Sequence, residues 1–340
     1  MPCPQHSKRV CRRSLCVPVG GSGKSNLHRA CPDPSDFGDL AVIKLGLGVA
    51  TLLRESSAKR REAVLGAAFD AGIRHLDTAP TYGLGRGELA LEPFLRRHGN
   101  AVTVTTKFGQ RLSRRSSVAA AIPPPARRLL TRYSVLRNAA KRSFTTGNVE
   151  SVSVGAAIRS LEESLKRLSR EHVDFFLLHD LTVQGDPFEY REALLATGKV
   201  HQIGFTGGSE VVSSVPPAHW AAYDVLQSDA ASRVGADLHT QVEFRYGCFR
   251  NLALAQTILA EHHEMRDRLE RELDIPLRTS TDIACLLVWA TSDTEAVRVI
   301  VGTTNPKHAV LLQQTVGRLP ARHEVSASTI ETAQRLLARS

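Results

Sequence analysis

The chain has 340 residues, 42% of them apolar and 23% charged, which is enough apolar material to bury a substantial core. No apolar stretch approaches the roughly 20 residues that span a bilayer, and no apolar h-region precedes a cleavage-like site near the N-terminus. Membrane and secreted classes are therefore set aside, and a cytoplasmic protein is expected. The net charge of +10 is uneven: residues 1–32 and 111–142 hold fifteen of the 44 Lys and Arg and no acid, leaving 29 bases against 34 acids elsewhere. The body is mildly acidic and the basicity belongs to two appendages, so the pI of 9.6 does not argue for nucleic-acid binding.

Residues 1–37 are rich in Pro, Gly, Ser, Arg and Cys and lack apolar periodicity, which reads as a disordered or loosely attached basic tail. Gly20-Gly21-Ser22-Gly23-Lys24-Ser25 fails as a phosphate loop, because Pro18 stands where the pattern needs glycine and no strand precedes it. Four of the six cysteines fall in this tail without a tight C-x-x-C pair, so free thiols and no metal site are expected.

From Leu40 onward, strand and helix patterns alternate. Ile43 to Val49 is the first apolar run, followed by a helical pattern from Ser56 that stops at Gly72. Strand two is expected over His75 to Ala79, a helix from Gly87 to Arg97, and strand three over Val102 to Thr106. Val154 to Leu168 places Ile158, Leu161, Leu165 and Leu168 on one helical face. Strand four runs from Val173 to His179, a helix spans Phe188 to Thr197, and strand five covers Gln202 to Phe205. Strand six is placed at Val225-Leu226 and strand seven at Val242 to Tyr246. Helices over Leu252 to Leu273 and Thr281 to Ala290, strand eight at Val297 to Val301, and helices over Asn305 to Val316 and Thr329 to Ala338 close the chain. This order predicts an α/β protein built as a single (β/α)8 TIM barrel over residues 38–340, with a doubly wound open sheet as the runner-up.

The chemistry lies at strand ends. Strand two ends in Asp77 with Tyr82 in the loop after it, strand three ends in Lys107, and strand four ends in His179. In a parallel barrel the C-terminal strand ends form the catalytic face. An ammonium near a phenol favours the phenolate, so Lys107 can tune Tyr82, Asp77 can orient Lys107, and His179 can hydrogen-bond a substrate carbonyl. That set suits proton delivery to a carbonyl oxygen, and because no side chain donates hydride a nicotinamide cofactor is implied.

The motifs resemble the aldo-keto reductase family across about 300 residues. The resemblance rests on Gly72 to Gly83 with Glu88, on Thr106-Lys107-Phe108-Gly109, and on Arg159 to Leu168 continuing to Val173-Asp174 and Leu178-His179-Asp180. It implies Asp77, Tyr82, Lys107 and His179 as the catalytic tetrad, with Asp77 also near the cofactor. It further implies cofactor contacts from Thr206, Gly207 and Gln227, and from the loop Gly302-Thr303-Thr304-Asn305-Pro306-Lys307-His308. At Gly207 the chain lacks the amide side chain usual in the family. His308, Leu311 and Leu312 stand where the family commonly has Arg and then Glu-Asn. NADP(H) is the expected cofactor and NAD(H) the alternative.

The basic segment 111–149, with Pro123-Pro124-Pro125 inside it, follows strand three and would hang over the active-site face. Two readings stand: a lid that draws in anions, or a solvated insertion. The expected activity is reduction of an aldehyde or ketone, or oxidation of a sugar-like alcohol, by a monomer with small-molecule partners only. The alternative function is a cofactor-binding regulatory protein on the same fold.

Overall fold

The computed structural model describes residues 43–109, 153–179, 187–206, 220–225, 244–292 and 297–337. The tail 1–37, the insertion 111–149, Gly207 and Gln227 lie outside these residues.

Eight parallel strands form the sheet: β1 (Lys44–Gly48), β2 (His75–Asp77), β3 (Thr103–Phe108), β4 (Val173–Leu178), β5 (Val200–Thr206), β6 (Trp220–Val225), β7 (Phe244–Tyr246) and β8 (Arg298–Val301). Each pairs with its sequence neighbours, and β8 also pairs with β1, Leu45 opposite Val299 and Leu47 opposite Val301, so the sheet curls back on itself. The described helices are α1 (Val49–Leu52), α2 (Ala58–Asp70), α3 (Arg86–His98), α4 (Val154–Leu168), α5 (Pro187–Ala196), α6 (Leu252–Glu261), α7 (His263–Leu273), α8 (Ser280–Thr291), α9 (Pro306–Val316) and α10 (Ala327–Leu337). The α/β class and the parallel sheet agree with the sequence expectation. None of these helices is long and apolar enough to cross a membrane.

Alternation along the strands divides the apolar residues between two cores. Leu177, Phe244 and Ile300, with Phe175 and Tyr246 against them, fill the inner face of the curled sheet. A larger cluster joins Leu47, Leu76, Val104, Phe176 and Val299 to the helices, including Leu161 of α4 and Leu287 of α8. In a strand, side chains two apart share a face, so Phe175 and Leu177 point inward while Phe176 and Leu178 meet the helices. The same parity turns His75 inward, where its ring nitrogens meet Thr103 Oγ1 at 2.9 Å and Thr105 Oγ1 at 3.2 Å.

Local signals set the helix ends. The Ser57 and Ser153 hydroxyls accept from Arg60 and Ala156 backbone N–H groups to start α2 and α4. Thr279 and Asp282 form a reciprocal capping box on α8. The single helix expected over 252–273 is two, because His262 leaves helical geometry at φ −109° and ψ 77°. β6 starts at Trp220, earlier than the Val225-Leu226 reading. Its Trp-Ala-Ala-Tyr-Asp-Val sequence has too little alternation to announce a strand, and pairing with β5 from Ile203 opposite Trp220 forms it.

Glu88 in the first turn of α3 is fully buried. It accepts from Thr106 Oγ1 of β3 at 2.7 Å and pairs with Arg167 Nε of α4. This carboxylate therefore pins the helix that follows the Tyr82 loop to the strand that carries Lys107. Removing it strands a buried hydroxyl and a partly buried guanidinium. Glu88→Ala is expected to lower the unfolding free energy by about 2–3 kcal/mol, read from the urea midpoint at unchanged slope.

Candidate active site

Four sequence-predicted groups converge at the C-terminal ends of β2, β3 and β4. Asp77 is the last residue of β2, Lys107 the penultimate residue of β3, and His179 follows β4. Lys107 is opposite Leu177 in the register, so its side chain shares the inner face with the apolar core beneath it. Its side chain is 4% exposed and that of Asp77 7%, and Lys107 Nζ donates to Asp77 Oδ2 at 2.6 Å. The same ammonium donates to the Thr78 carbonyl oxygen at 2.8 Å and lies 3.4 Å from Tyr82 Oη.

The loop between β2 and α3 holds Tyr82 in place. Tyr82 N–H donates to the Ala79 carbonyl at 3.0 Å, and its own carbonyl accepts from Gly87 N–H at 3.0 Å. Gly83, Leu84 and Gly85 run through the left-handed region at φ 60°, 62° and 79°. At Gly85 glycine is required twice over, since a Cβ would also sit 2.9 Å from the Arg167 side chain. The loop closes on itself so that the phenol meets the strand ends.

His179 completes the group. Its ring lies edge-on to Tyr82, with centroids 5.9 Å apart at 84°, and its Nδ1 is 3.4 Å from Thr81 Oγ1. Burial, and then the nearby Lys107 ammonium, lower its pKa from 6.5 to about 3. The imidazole is neutral across the working pH range and can accept from Thr81 at one nitrogen while donating from the other.

These side chains line a cavity of about 430 Å³. Asp77, Tyr82, Lys107, His179, Thr206 and Gly302, all named from sequence, face it. It also takes in Thr51 and Arg54 beyond β1, and Tyr246, Cys248 and Arg250 at and beyond β7, which the sequence reading did not name. The available signal was positional: they too follow the C-terminal ends of strands. Burial pushes the Cys248 thiol up to about 12, which disfavours its thiolate form. Gly302 permits close contact between the β1 and β8 loops, since a Cβ there would meet Thr51 Oγ1 at 2.4 Å.

A smaller cavity of about 140 Å³ adjoins the first, sharing Phe249 and Gly302, and is lined by Thr303, His308 and Leu312 among others. Thr304, Asn305 and Lys307 are not among the residues lining either cavity. Asn305 caps α9 instead, its side chain accepting from Lys307 N–H at 3.0 Å, while Thr303 Oγ1 accepts from Asn305 N–H at 3.0 Å. Thr304, Lys307 and His308 are exposed.

Residues 44–227 match the family model described as the aldo/keto reductase family. The chain belongs to the aldo/keto reductase family. That match takes in all four convergent groups and ends before β7. Among characterised relatives, a pyridoxal 4-dehydrogenase of Microbacterium luteolum is 30% identical over 164 residues, 47% of this chain and 46% of that protein. A D-threo-aldose 1-dehydrogenase of a Pseudomonas species is 34% identical over 221 residues, 57% of this chain and 61% of that protein. The chain thus spans about half the length of the curated relatives it matches. Two solved structures share the fold. An aldo-keto reductase of Bacillus halodurans in its holo form has TM-score 0.60 at 18% identity, covering 87% of this chain and 92% of its own. One of Klebsiella pneumoniae in complex with NADPH has TM-score 0.57 at 19% identity, covering 83% and 88%.

The depressed His179 pKa has a consequence for stability. The unfolded chain binds a proton near pH 6.5 that the folded chain refuses until about pH 3. Stability therefore falls as pH drops below about 6.5. The buried His75, also held well below its usual value by burial, acts in the same direction. Urea unfolding at pH 7.5, 6.0 and 5.0 should show His179 costing about 1–2 kcal/mol between pH 6.5 and 5. A His179→Gln variant should show a correspondingly shallower slope.

Proposed function

We propose that the chain interconverts an aldehyde or ketone and the corresponding alcohol, sugar-like alcohols included, with Tyr82 as the proton donor and NADP(H) as the cofactor. The observation that carries this reading is the 3.4 Å approach of buried Lys107 Nζ to Tyr82 Oη in a cavity that His179 also lines. Reduction adds a hydride to the carbonyl carbon and a proton to its oxygen, and a bound nicotinamide supplies the hydride. The chain supplies the proton, the orientation and the exclusion of water.

Tyr82 gives its hydroxyl proton to the carbonyl oxygen as negative charge grows there. An ammonium beside the phenol oxygen stabilises the phenolate that results. Asp77 and the Thr78 carbonyl hold that ammonium in place, so no side chain has to reorganise during proton transfer. His179, neutral, donates a hydrogen bond to the same oxygen and sets the carbonyl's angle to Tyr82. Oxidation runs the steps backward, with the phenolate taking the alcohol proton.

The two adjoining cavities suit an extended dinucleotide: Thr206 and Gly302 on the nicotinamide side, Thr303 and His308 on the adenosine side. The positive end of the α9 dipole suits phosphate. Exposed Lys307 in the first turn of α9 is the residue we assign to a 2′-phosphate, and on that assignment NADP(H) is proposed over NAD(H). Gly207 and Gln227 are proposed as nicotinamide contacts from the resemblance alone. The names of the two relatives, dehydrogenases of pyridoxal and of an aldose, support a polar, hydroxylated substrate. A binding-only role is disfavoured, because the four reacting groups are assembled. We infer also that the eight described strands belong to one (β/α)8 barrel, acting as a monomer in the cytoplasm.

Tyr82→Phe is expected to lower kcat by about 10²–10⁴-fold while the dissociation constant for NADPH, read by fluorescence, stays within about twofold. Full turnover in that variant across a panel of aldehydes and ketones overturns the mechanism. Lys307→Ala should raise KM for NADPH about tenfold, the scale of one charge-assisted contact, and leave KM for NADH unchanged. An equal rise for both cofactors would remove Lys307 from 2′-phosphate recognition.

A further inference from the structure

The rim opposite the catalytic groups carries a second cluster of chemistry-bearing side chains. His172 immediately precedes β4, Asp174 is its second residue, and His201 is the second residue of β5. β4 and β5 pair with Val173 opposite Val200 and Phe175 opposite Gln202, which brings Asp174 and His201 side by side on the outer face. His172 shares that face because it lies two residues from Asp174 along an extended chain. With a strand of six residues at about 3.3 Å each between them, the cluster stands roughly 20 Å from His179.

We infer that His172, Asp174 and His201 form a binding site for a divalent transition-metal ion, with zinc as the ion best suited to the donors. Two imidazoles and one carboxylate are a familiar donor set for zinc, leaving one tetrahedral position for water. The three donor atoms lie within 4.8 Å of one another. Donors about 2.0–2.1 Å from a tetrahedral ion stand roughly 3.3–3.4 Å apart. His201 Nδ1 and Asp174 Oδ1 are already 3.6 Å apart, long for a direct hydrogen bond and close to the spacing of two ligands on one ion. The imidazole rings of His172 and His201 lie 4.5 Å apart at 32°, so a small rotation brings the third donor in.

The carboxylate is positioned for this task. Asp174 Oδ2 accepts from Val104 N–H of β3 at 2.7 Å, which fixes the group and leaves Oδ1 turned toward His201. Such outer contacts are what orient metal ligands in established sites. Arg170 Nη2 lies 3.8 Å from Asp174 Oδ2, the oxygen that already accepts from Val104 N–H. The His201 side chain is 44% exposed and that of Asp174 17%, so an ion can enter and keep a water. Sequence reading expected no metal from the spacing of the N-terminal cysteines and did not weigh these three residues, which pairing of β4 with β5 brings together. A bound ion would clip these two strands together and stabilise the folded chain by mass action.

The test uses the full chain and Co²⁺ as a spectroscopic probe, with Zn²⁺ in competition. One equivalent of Co²⁺ should bind with d–d bands typical of nitrogen and oxygen ligands, be displaced by Zn²⁺, and raise the thermal midpoint in a concentration-dependent way. His201→Ala and His172→Gln, each at a partly exposed position, should both weaken that equivalent by at least about tenfold, the smallest loss seen even for outer-shell partners. Their turnover without added metal should match that of the unaltered chain. Ions held by cysteines are counted separately, through their thiolate charge-transfer band. Failure of the unaltered chain to take up a nitrogen- and oxygen-ligated equivalent overturns the proposal, as does its undiminished retention in either variant. Because the readout is metal binding, the result stands apart from whether Tyr82 is the proton donor.

Discussion

Lys107 and Asp77 meet at 2.6 Å with almost no exposure, and everything at the candidate site is arranged around that contact. Taking two unlike charges out of water costs several kcal/mol for each ion, and their attraction returns the cost only when the remaining valences are also satisfied. Here the Thr78 carbonyl takes a second ammonium proton and Tyr82 Oη stands near a third. Packed aliphatic residues would hold this end of the sheet at lower risk. A charged pair here holds an ammonium 3.4 Å from a phenol oxygen, and a nearby cation favours the phenolate form of a phenol.

The pair also explains the character of its neighbours. Lys107 sits close enough to keep His179 from accepting a proton, and burial does the larger share of that work. The site thus holds one fixed cation and one neutral imidazole close together. Glu88 performs a similar service one layer outward. Its pairing with Arg167 and Thr106 locks the helix that follows the Tyr82 loop against the lysine strand. The left-handed run from Gly83 to Gly85 turns that loop back toward the strand ends.

The opposite rim obeys the same geometry with a different outcome. Parallel strands place polar residues at both ends, since the inner and outer cores occupy the middle of each strand. At the C-terminal ends of β2 and β3 those residues, Asp77 and Lys107, are inward-facing and buried. At the N-terminal ends of β4 and β5 they face outward and are partly wet, so His172, Asp174 and His201 remain open to a dissolved ion. A sheet that curls back on itself separates these two environments by little more than one strand length.

Much of this was legible in the residues themselves. The acid, phenol, amine and imidazole at successive strand ends were named from sequence as a candidate tetrad, and all four line one cavity. Apolar periodicity and the helix stop at Gly72 located most elements to within a few residues. What the chain order could not express was anything created by pairing between distant segments. β6 forms because β5 is beside it, Thr51 and Arg54 join Tyr246 and Arg250 at one cavity because β1 and β7 both flank β8, and Asp174 meets His201 because two strands align. Local sequence carries propensity and periodicity, which act over one turn or one strand. Burial, the resulting pKa of His179 and the convergence of side chains from separate strands exist only after the chain has closed around its core.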